Sequence, residues 1–253
     1  MLDPNSIYVW RVGFEASVSA SDDQVEAWSK LLSVEEWQRA NALRSDGPRR
    51  DYILAHAALR FVLAEGLGIP ATAVGFQGGP SKENSEAATK PSLKAGIGDH
   101  SHRSDLRFNL SHTRGMALIG VALGREVGVD IEWQRFMEDL DPMALSVMSA
   151  EELALWQALA AGNRNRAFFK VWTRKEAYLK AIGLGLYHSL QSVTVPVTAT
   201  PLDQAEIVAD RTRADVWKVF DIPAPEGYSA SVCWEGGEMP EIVVQDLNIT
   251  QIA

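Results

Sequence analysis

A chain of 253 residues with 46% hydrophobic side chains has enough apolar surface for one large domain or two small ones. Its formal net charge of −9 excludes a general nucleic-acid binder, which needs basic excess, so any anionic ligand must be met by a local cluster of cations. The single cysteine, Cys233, excludes an internal disulfide and a thiolate metal cluster and points to a reducing compartment.

The opening stretch MLDPNSIYVWRVGF has neither the basic start nor the long apolar segment of a secretory signal, and no apolar run approaches a membrane span. The expectation is a cytoplasmic protein with no membrane partner. Arg39, Arg44, Arg49 and Arg50 form a basic cluster ahead of the first long helix. That helix reads over Asp51–Leu67, from the helical spacing of Ile53, Leu54, Ala57, Ala58, Phe61 and Val62 and the closing Gly66 and Gly68. Residues Gly78–Asp105, rich in Gly, Ser, Pro and charge, read as an irregular excursion in which Lys90, before Pro91, is an exposed cation. His100 and His102 lie in the same loop, without a nearby cysteine or a ligand spacing, and read as solvated.

FNLSHT, Phe108–Thr113, places Asn109, Ser111 and His112 directly before the apolar strand MALIGVAL. A turn here presents a hydroxyl, an imidazole and backbone amides to an anion, although a capped turn accounts for the same residues. No G-x-S-x-G elbow surrounds Ser111, which argues against a hydrolase nucleophile. In GVDIEW, Gly128–Trp133, the strand-like alternation sends Asp130 and Glu132 out on one face. After MSAEELALW, which carries Glu151 and Glu152, a second long helix reads over about Arg166–Ile182. Arg164, Arg166, Lys170, Arg174 and Lys175 surround its first half, and Glu176 precedes Lys180 by four positions. Three carboxylates beside two lysines suit a magnesium ion holding a diphosphate, because the hard cation takes oxygen ligands while ammonium groups neutralise the remaining charge. The ordinary alternative is an exposed helix ion pair beside the wet face of an edge strand.

The two helices superpose without a gap: Phe61, Val62, Gly66, Gly68 and Ile69 fall on Tyr178, Leu179, Gly183, Gly185 and Leu186. A glycine-led apolar run follows each, Gly115–Leu123 and Gly227–Trp234. Two related halves are the expectation, although Gly-x-Gly helix ends also recur by chance.

FNLSHT, then GVDIE, then WTRKEAYLKA resembles the Sfp-type 4′-phosphopantetheinyl transferases in content, order and spacing, from about Leu32 to Trp234. The resemblance implies an α+β fold of two similar α/β halves about a pseudo-twofold axis, divided here as 1–124 and 125–253, in a monomer that binds coenzyme A between them. It implies Mg2+-dependent transfer of phosphopantetheine from coenzyme A to a serine of an apo acyl or peptidyl carrier protein, with release of adenosine 3′,5′-bisphosphate. Asp130, Glu132 and Glu176 match the metal ligands, Ser111 and His112 the pair at the 3′-phosphate, and Lys175 and Lys180 the lysines near the diphosphate. Glu152 matches a general base, with Glu151 one residue away; Glu176 and Lys180 complete the catalytic set. Lys90 resembles the lysine of a GKP turn, with Thr89 in place of glycine. Arg60 closes the A-x-x-x-L-R pattern, and Arg50 stands in for an arginine where this chain has Asp51. A magnesium-dependent nucleotide-diphosphate hydrolase would use the same carboxylates, and a non-catalytic coenzyme A or carrier-binding module would not require them all. Because the carrier is usually acidic, docking is expected at Arg164, Arg166 and Lys170, or else on apolar residues around Met143–Met148.

Overall fold

The structure is a computed structural model and describes residues 2–14, 21–79, 89–96, 105–184, 189–198, 206–207, 209–210, 216–248 and 252. Strand β1 (Ser6–Gly13) is followed by α1 (Asp22–Ser29) and α2 (Val34–Ala42), each begun by a serine that caps the helix reciprocally with a side chain three residues on, Ser21 with Gln24 and Ser33 with Glu36. Helix α3 (Asp46–Leu67) starts five residues before the expected Asp51. Pro48 falls in its first turn, where a missing N–H leaves no helical bond unmade, so the Gly-Pro pair is no barrier.

Next come β2 (Phe76–Gly79), β3 (Thr89–Leu93), β4 (Leu106–Thr113), β5 (Met116–Leu123) and β6 (Val127–Trp133). Two expectations change here. Thr89–Leu93 is not irregular but pairs antiparallel with β2, and FNLSHT is not a turn but the greater part of a strand paired with β5. His100 and His102 lie outside the described residues. The second half contains α4 (Asp141–Val147), α5 (Ala150–Gln157) and α6 (Ala161–Ile182), then β7 (Val193–Thr194), β8 (Glu206–Ile207), β9 (Ala209–Asp210), β10 (Trp217–Asp221), β11 (Tyr228–Glu235) and β12 (Glu241–Asp246). No helix among the described residues is long and apolar enough to cross a membrane.

Two four-stranded sheets organise the molecule, in the orders β12-β1-β5-β4 and β6-β11-β10-β8. Helix α3 buries Leu54, Ala58 and Leu63 against the first, and α6 buries Val171, Ala177 and Tyr178 against the second. A third apolar cluster, including Ile7, Leu118, Val129 and Val232, joins strands of both sheets. The corresponding elements of the two halves share some features, although the left-handed helix caps are Gly68 and Gly183, whereas the sequence superposition paired Gly66 with Gly183. Both α3 and α6 span 22 residues and close on left-handed glycines, Gly68 and Gly183, and the eight-residue strands β5 and β11 each follow a left-handed glycine, Gly115 and Gly227. Residues 125–253 do not all stay with the second sheet, however, because β12 pairs in parallel with β1.

The sheets meet where β4 and β6 run side by side without backbone pairing, and side chains join them. The Val129 amide donates to Asn109 Oδ1 at 3.0 Å and the Ile131 amide to Ser111 Oγ at 3.3 Å. Asn109 and Ser111 are two apart on β4, so they leave one face and reach alternate amides of the edge strand β6, which would otherwise be unpaired. On the other side β6 lies against α6. A Cβ on Gly128 would come within 2.0 Å of the Ala177 carbonyl oxygen and 2.4 Å of the Ala181 nitrogen, so only glycine permits this approach.

Candidate active site at the seam of the two sheets

Strand β6 and helix α6, held together at Gly128, bring the candidate residues to one place. Asp130 is buried on β6, and its Oδ1 accepts from Ser111 Oγ at 2.9 Å and from Lys180 Nζ at 2.5 Å. Lys180 also donates to Ser111 at 2.9 Å, so aspartate, serine and lysine form a closed triangle between β4, β6 and α6. The hydroxyl of Ser111 is thus committed to Asp130, Lys180 and the Ile131 amide and is buried; it is an internal tie and not the expected contact to a 3′-phosphate.

Two carboxylate oxygens here are buried without a hydrogen-bond partner among the described residues, Asp130 Oδ2 and Glu176 Oε1. Glu132 has its pKa pushed up to about 7 by burial and then by the charge of Asp130, with the Trp172 indole and Lys180 opposing. Burial followed by Asp130 likewise raises Glu176. Among the described residues no three His, Cys, Asp or Glu side chains close into a metal cage by themselves. This is compatible with magnesium, which takes one or two carboxylates with waters and phosphate oxygens instead of an all-protein cage. Orphaned, buried oxygens are donors such a cation satisfies, so Asp130 and Glu176 fit a magnesium ion, with Glu132 two residues along β6 from Asp130.

His112, next along β4, faces outward between two cavities. One, about 720 Å³, has Arg39, Tyr52, His56, Phe76, His112 and Lys180 in its wall. The other, about 1330 Å³, also touches Tyr52 and His112 and runs past Arg50, Asp51, Arg114 and Tyr228. Surrounding protein and then Lys180 lower the pKa of His112, while Asp51 opposes. Its ring stands edge-on to Tyr52 at 6.3 Å and to His56 at 6.2 Å, and those two rings stack at 3.8 Å. The Nδ1–H of His56 donates to the Tyr52 carbonyl at 2.9 Å, and burial holds its pKa down to about 3. Sequence reasoning missed Tyr52 and His56, although their four-residue spacing on a helix that begins under a basic cluster was a usable signal.

Several expected site residues lie elsewhere. Glu152 is the third residue of helix α5, where its carboxylate accepts from the Ser149 amide at 2.7 Å and the Val195 amide at 2.7 Å. The same carboxylate forms an ion pair with Lys175 at 2.5 Å, with Lys175 0% and Glu152 1% exposed. Lys175 spends its other bonds on the Val147 and Leu190 carbonyls. Neither residue reaches the seam, so the expected base and one expected diphosphate lysine are a buried structural pair. Arg60 is also buried, donating to Glu36 at 2.8 Å and to the Val74 carbonyl at 2.7 Å beneath the smaller cavity. Arg50 is paired with Asp22 and Asp46 at the wall of the larger cavity. Lys90 is not an exposed cation; it is 15% exposed and donates to Glu126, the Val127 carbonyl and the Ala181 carbonyl. In the proposed docking cluster, Arg164 bonds the Gln157 and Leu159 carbonyls, and Lys170 shares Asp221 with Arg174, which leaves Arg166 as the exposed member.

A closed acid, lysine and serine triangle lies between the two sheets, with orphaned oxygens on Asp130 and Glu176 and with Lys180 in the wall of the smaller cavity, and comparison with known proteins gives its lineage. Residues 126–233, which hold Asp130, Glu132, Glu176 and Lys180, match the family described as the 4′-phosphopantetheinyl transferase superfamily. The chain is 29% identical over 232 residues to the 4′-phosphopantetheinyl transferase HetI of Nostoc sp., covering 92% of this chain and 89% of that one. It is 30% identical over 155 residues to the 4′-phosphopantetheinyl transferase AcpT of Salmonella typhi, covering 61% of this chain and 71% of that one. A solved holo-(acyl-carrier-protein) synthase from Bacillus anthracis aligns over 45% of this chain and 96% of that one, at 16% identity and a TM-score of 0.37. The chain belongs to the 4′-phosphopantetheinyl transferase superfamily.

Proposed function

We propose that this protein transfers the 4′-phosphopantetheine group of coenzyme A to a serine of an apo acyl or peptidyl carrier protein, releasing adenosine 3′,5′-bisphosphate. The observation that carries the proposal is the seam itself, where Asp130 and Glu176 each hold a buried unpaired oxygen and Lys180 reaches the wall of the cavity bordered by His112. The relatives named above are transferases of the same group.

In this reading the adenosine 3′-phosphate occupies the smaller cavity, with Arg39 as its cation and the His112 imidazole as a hydrogen-bond donor, and the diphosphate extends toward Lys180. Asp130, Glu132 and Glu176 would hold a magnesium ion, which when bound draws charge from the diphosphate oxygens. The serine oxygen forms the new bond to the β-phosphorus as the bond to the bridging oxygen breaks, and that electron pair leaves on adenosine 3′,5′-bisphosphate. Lys180 is partly exposed and lends its ammonium to the charge that develops on the phosphates. With Glu152 buried elsewhere, the serine proton falls to Glu176, the remaining carboxylate of the expected catalytic set, which carries a buried unpaired oxygen at the seam. The same reading makes it a cytoplasmic monomer of two halves, 1–124 and 125–253, with β12 crossing back to the first sheet.

The test incubates the protein with coenzyme A, magnesium and several apo carrier proteins and reads intact mass. A phosphopantetheine adduct on one carrier, absent when the metal is chelated, is the expected result. Release of adenosine 3′,5′-bisphosphate with every carrier unmodified would replace the transferase by a hydrolase.

A further inference from the structure

One ammonium group outside the seam is bonded to both elements that build it. Lys90 projects from β3 of the β2–β3 hairpin, whose Gly78, Gly79 and Pro91 line the smaller cavity. Its Nζ donates to Glu126 Oε2 at 2.5 Å, to the Val127 carbonyl at 2.8 Å and to the Ala181 carbonyl at 3.1 Å. Val127 opens β6, three residues before Asp130, and Ala181 lies in the last turn of α6, one residue after Lys180. The final carbonyls of a helix have no partner within it, and a cation at that end suits the helix dipole. Gly183, the left-handed cap of α6, completes the contact, since a Cβ there would come within 3.1 Å of Lys90 Cβ. Glu126 is itself fixed by Arg107 of β4 at 2.9 Å, so the clamp spans the nucleotide-side hairpin, both strands of the seam and the catalytic helix.

We propose that Lys90 is a positioning residue that couples occupation of the hairpin-lined cavity to the placement of α6 and β6, and so of Lys180 and Glu176 against Asp130. The inference rests on the proposed transferase reading for its kinetic readout. The hairpin holds the α6 terminus through the bond to Ala181 and the start of β6 through those to Glu126 and Val127; ligand in the cavity stiffens the hairpin and so tightens both holds. Catalytic geometry tolerates little displacement, so losing the clamp acts on turnover more than on capture of the nucleotide.

Lys90→Met and Lys90→Arg are compared with the wild-type chain by hydrogen exchange at Leu179–Gly183, with and without adenosine 3′,5′-bisphosphate, and by transfer kinetics normalised to folded protein. In the wild type the bisphosphate slows exchange in this last turn. In Lys90→Met that slowing is lost, kcat falls about tenfold and KM for coenzyme A moves less than about threefold, while Lys90→Arg, which keeps the charge and donors, recovers most of both effects. Ligand-dependent slowing that survives in Lys90→Met overturns the inference. So does a kcat per folded molecule equal to wild type, since Lys90 would then serve stability alone. If the wild type transfers nothing, the functional reading fails and the exchange arm still decides the coupling.

Discussion

Replacing Glu152 separates a structural acid from a catalytic one. Glu152→Ala strands the ammonium of Lys175, which is 0% exposed, and removes the acceptor of two amides, Ser149 and Val195. An uncompensated buried charge costs about 3–5 kcal/mol, and a buried orphaned N–H adds about 1–3 kcal/mol. These terms overlap, because Lys175 keeps the Val147 and Leu190 carbonyls, so the net loss is about 4–6 kcal/mol. For a chain of this length that lowers Tm by roughly 10–20 °C. Glu152→Leu combined with Lys175→Met removes both charges together and should regain most of the loss. Thermal unfolding of the single and double variants measures stability, and transfer kinetics normalised to folded protein measure chemistry, which should stay within about threefold of wild type. A general base would behave oppositely, forfeiting about 10²–10⁴ in rate. If Glu152→Gln keeps the wild-type Tm while kcat drops about a hundredfold or more, the reasoning is wrong and Glu152 returns to the mechanism.

Asp130→Ala and Glu176→Ala should each abolish metal-dependent transfer while the fold survives, measured by intact mass and circular dichroism; near-normal activity with metal still required removes the residue from the ligand set. His112→Ala should weaken coenzyme A far more than 3′-dephospho-coenzyme A in a binding titration, because only the former carries the contacted phosphate; an equal loss assigns His112 to the Tyr52 and His56 cluster instead. His56, held near pKa 3 against an unfolded value of about 6.5, binds fewer protons folded than unfolded, so its contribution is complete above about pH 6.5 and is lost as pH falls toward 3. At pH 5 the deficit is about 2 kcal/mol, and the difference between denaturation curves of wild type and His56→Gln should show that slope.

The period-two alternation of GVDIE was enough to put Asp130 and Glu132 on one face, and the four-residue step from Glu176 to Lys180 enough to put those two on one side of a helix, although the ion pair that forms there is between Lys180 and Asp130. The same helical geometry separates Lys175 from Lys180, because five residues turn the helix by roughly 140° more than a full circle, and the two lysines do face different neighbours. Ser149 and Glu152 were readable as a helix-capping pair from spacing alone, which already occupied the carboxylate assigned to chemistry. Ser111 was not readable in this way. Its duties depend on β4 lying beside β6, and on Lys180 arriving from a helix 69 residues later, which only the assembled topology sets. Arg60 and Lys90 show the same boundary, since Glu36 and Ala181 become their partners only after the chain has folded.

Strand β12 gives this architecture a direction in time. During synthesis β1 emerges well before residues Glu241–Asp246, which cover its outer edge, so the first sheet waits through the second half of the fold with one row of amides and carbonyls open. Closing so distant a contact slows folding, and an open edge is the kind of surface that recruits another chain. Arg11, whose guanidinium donates to Asp246 through Nε and Nη2 and to the Pro223 carbonyl through Nη1, acts as the clasp once the strand has been released from the ribosome. A nascent chain stalled before residue 241 is therefore the vulnerable species, a substrate for chaperones and for aggregation although β4, β6 and α6 of its seam are already synthesised.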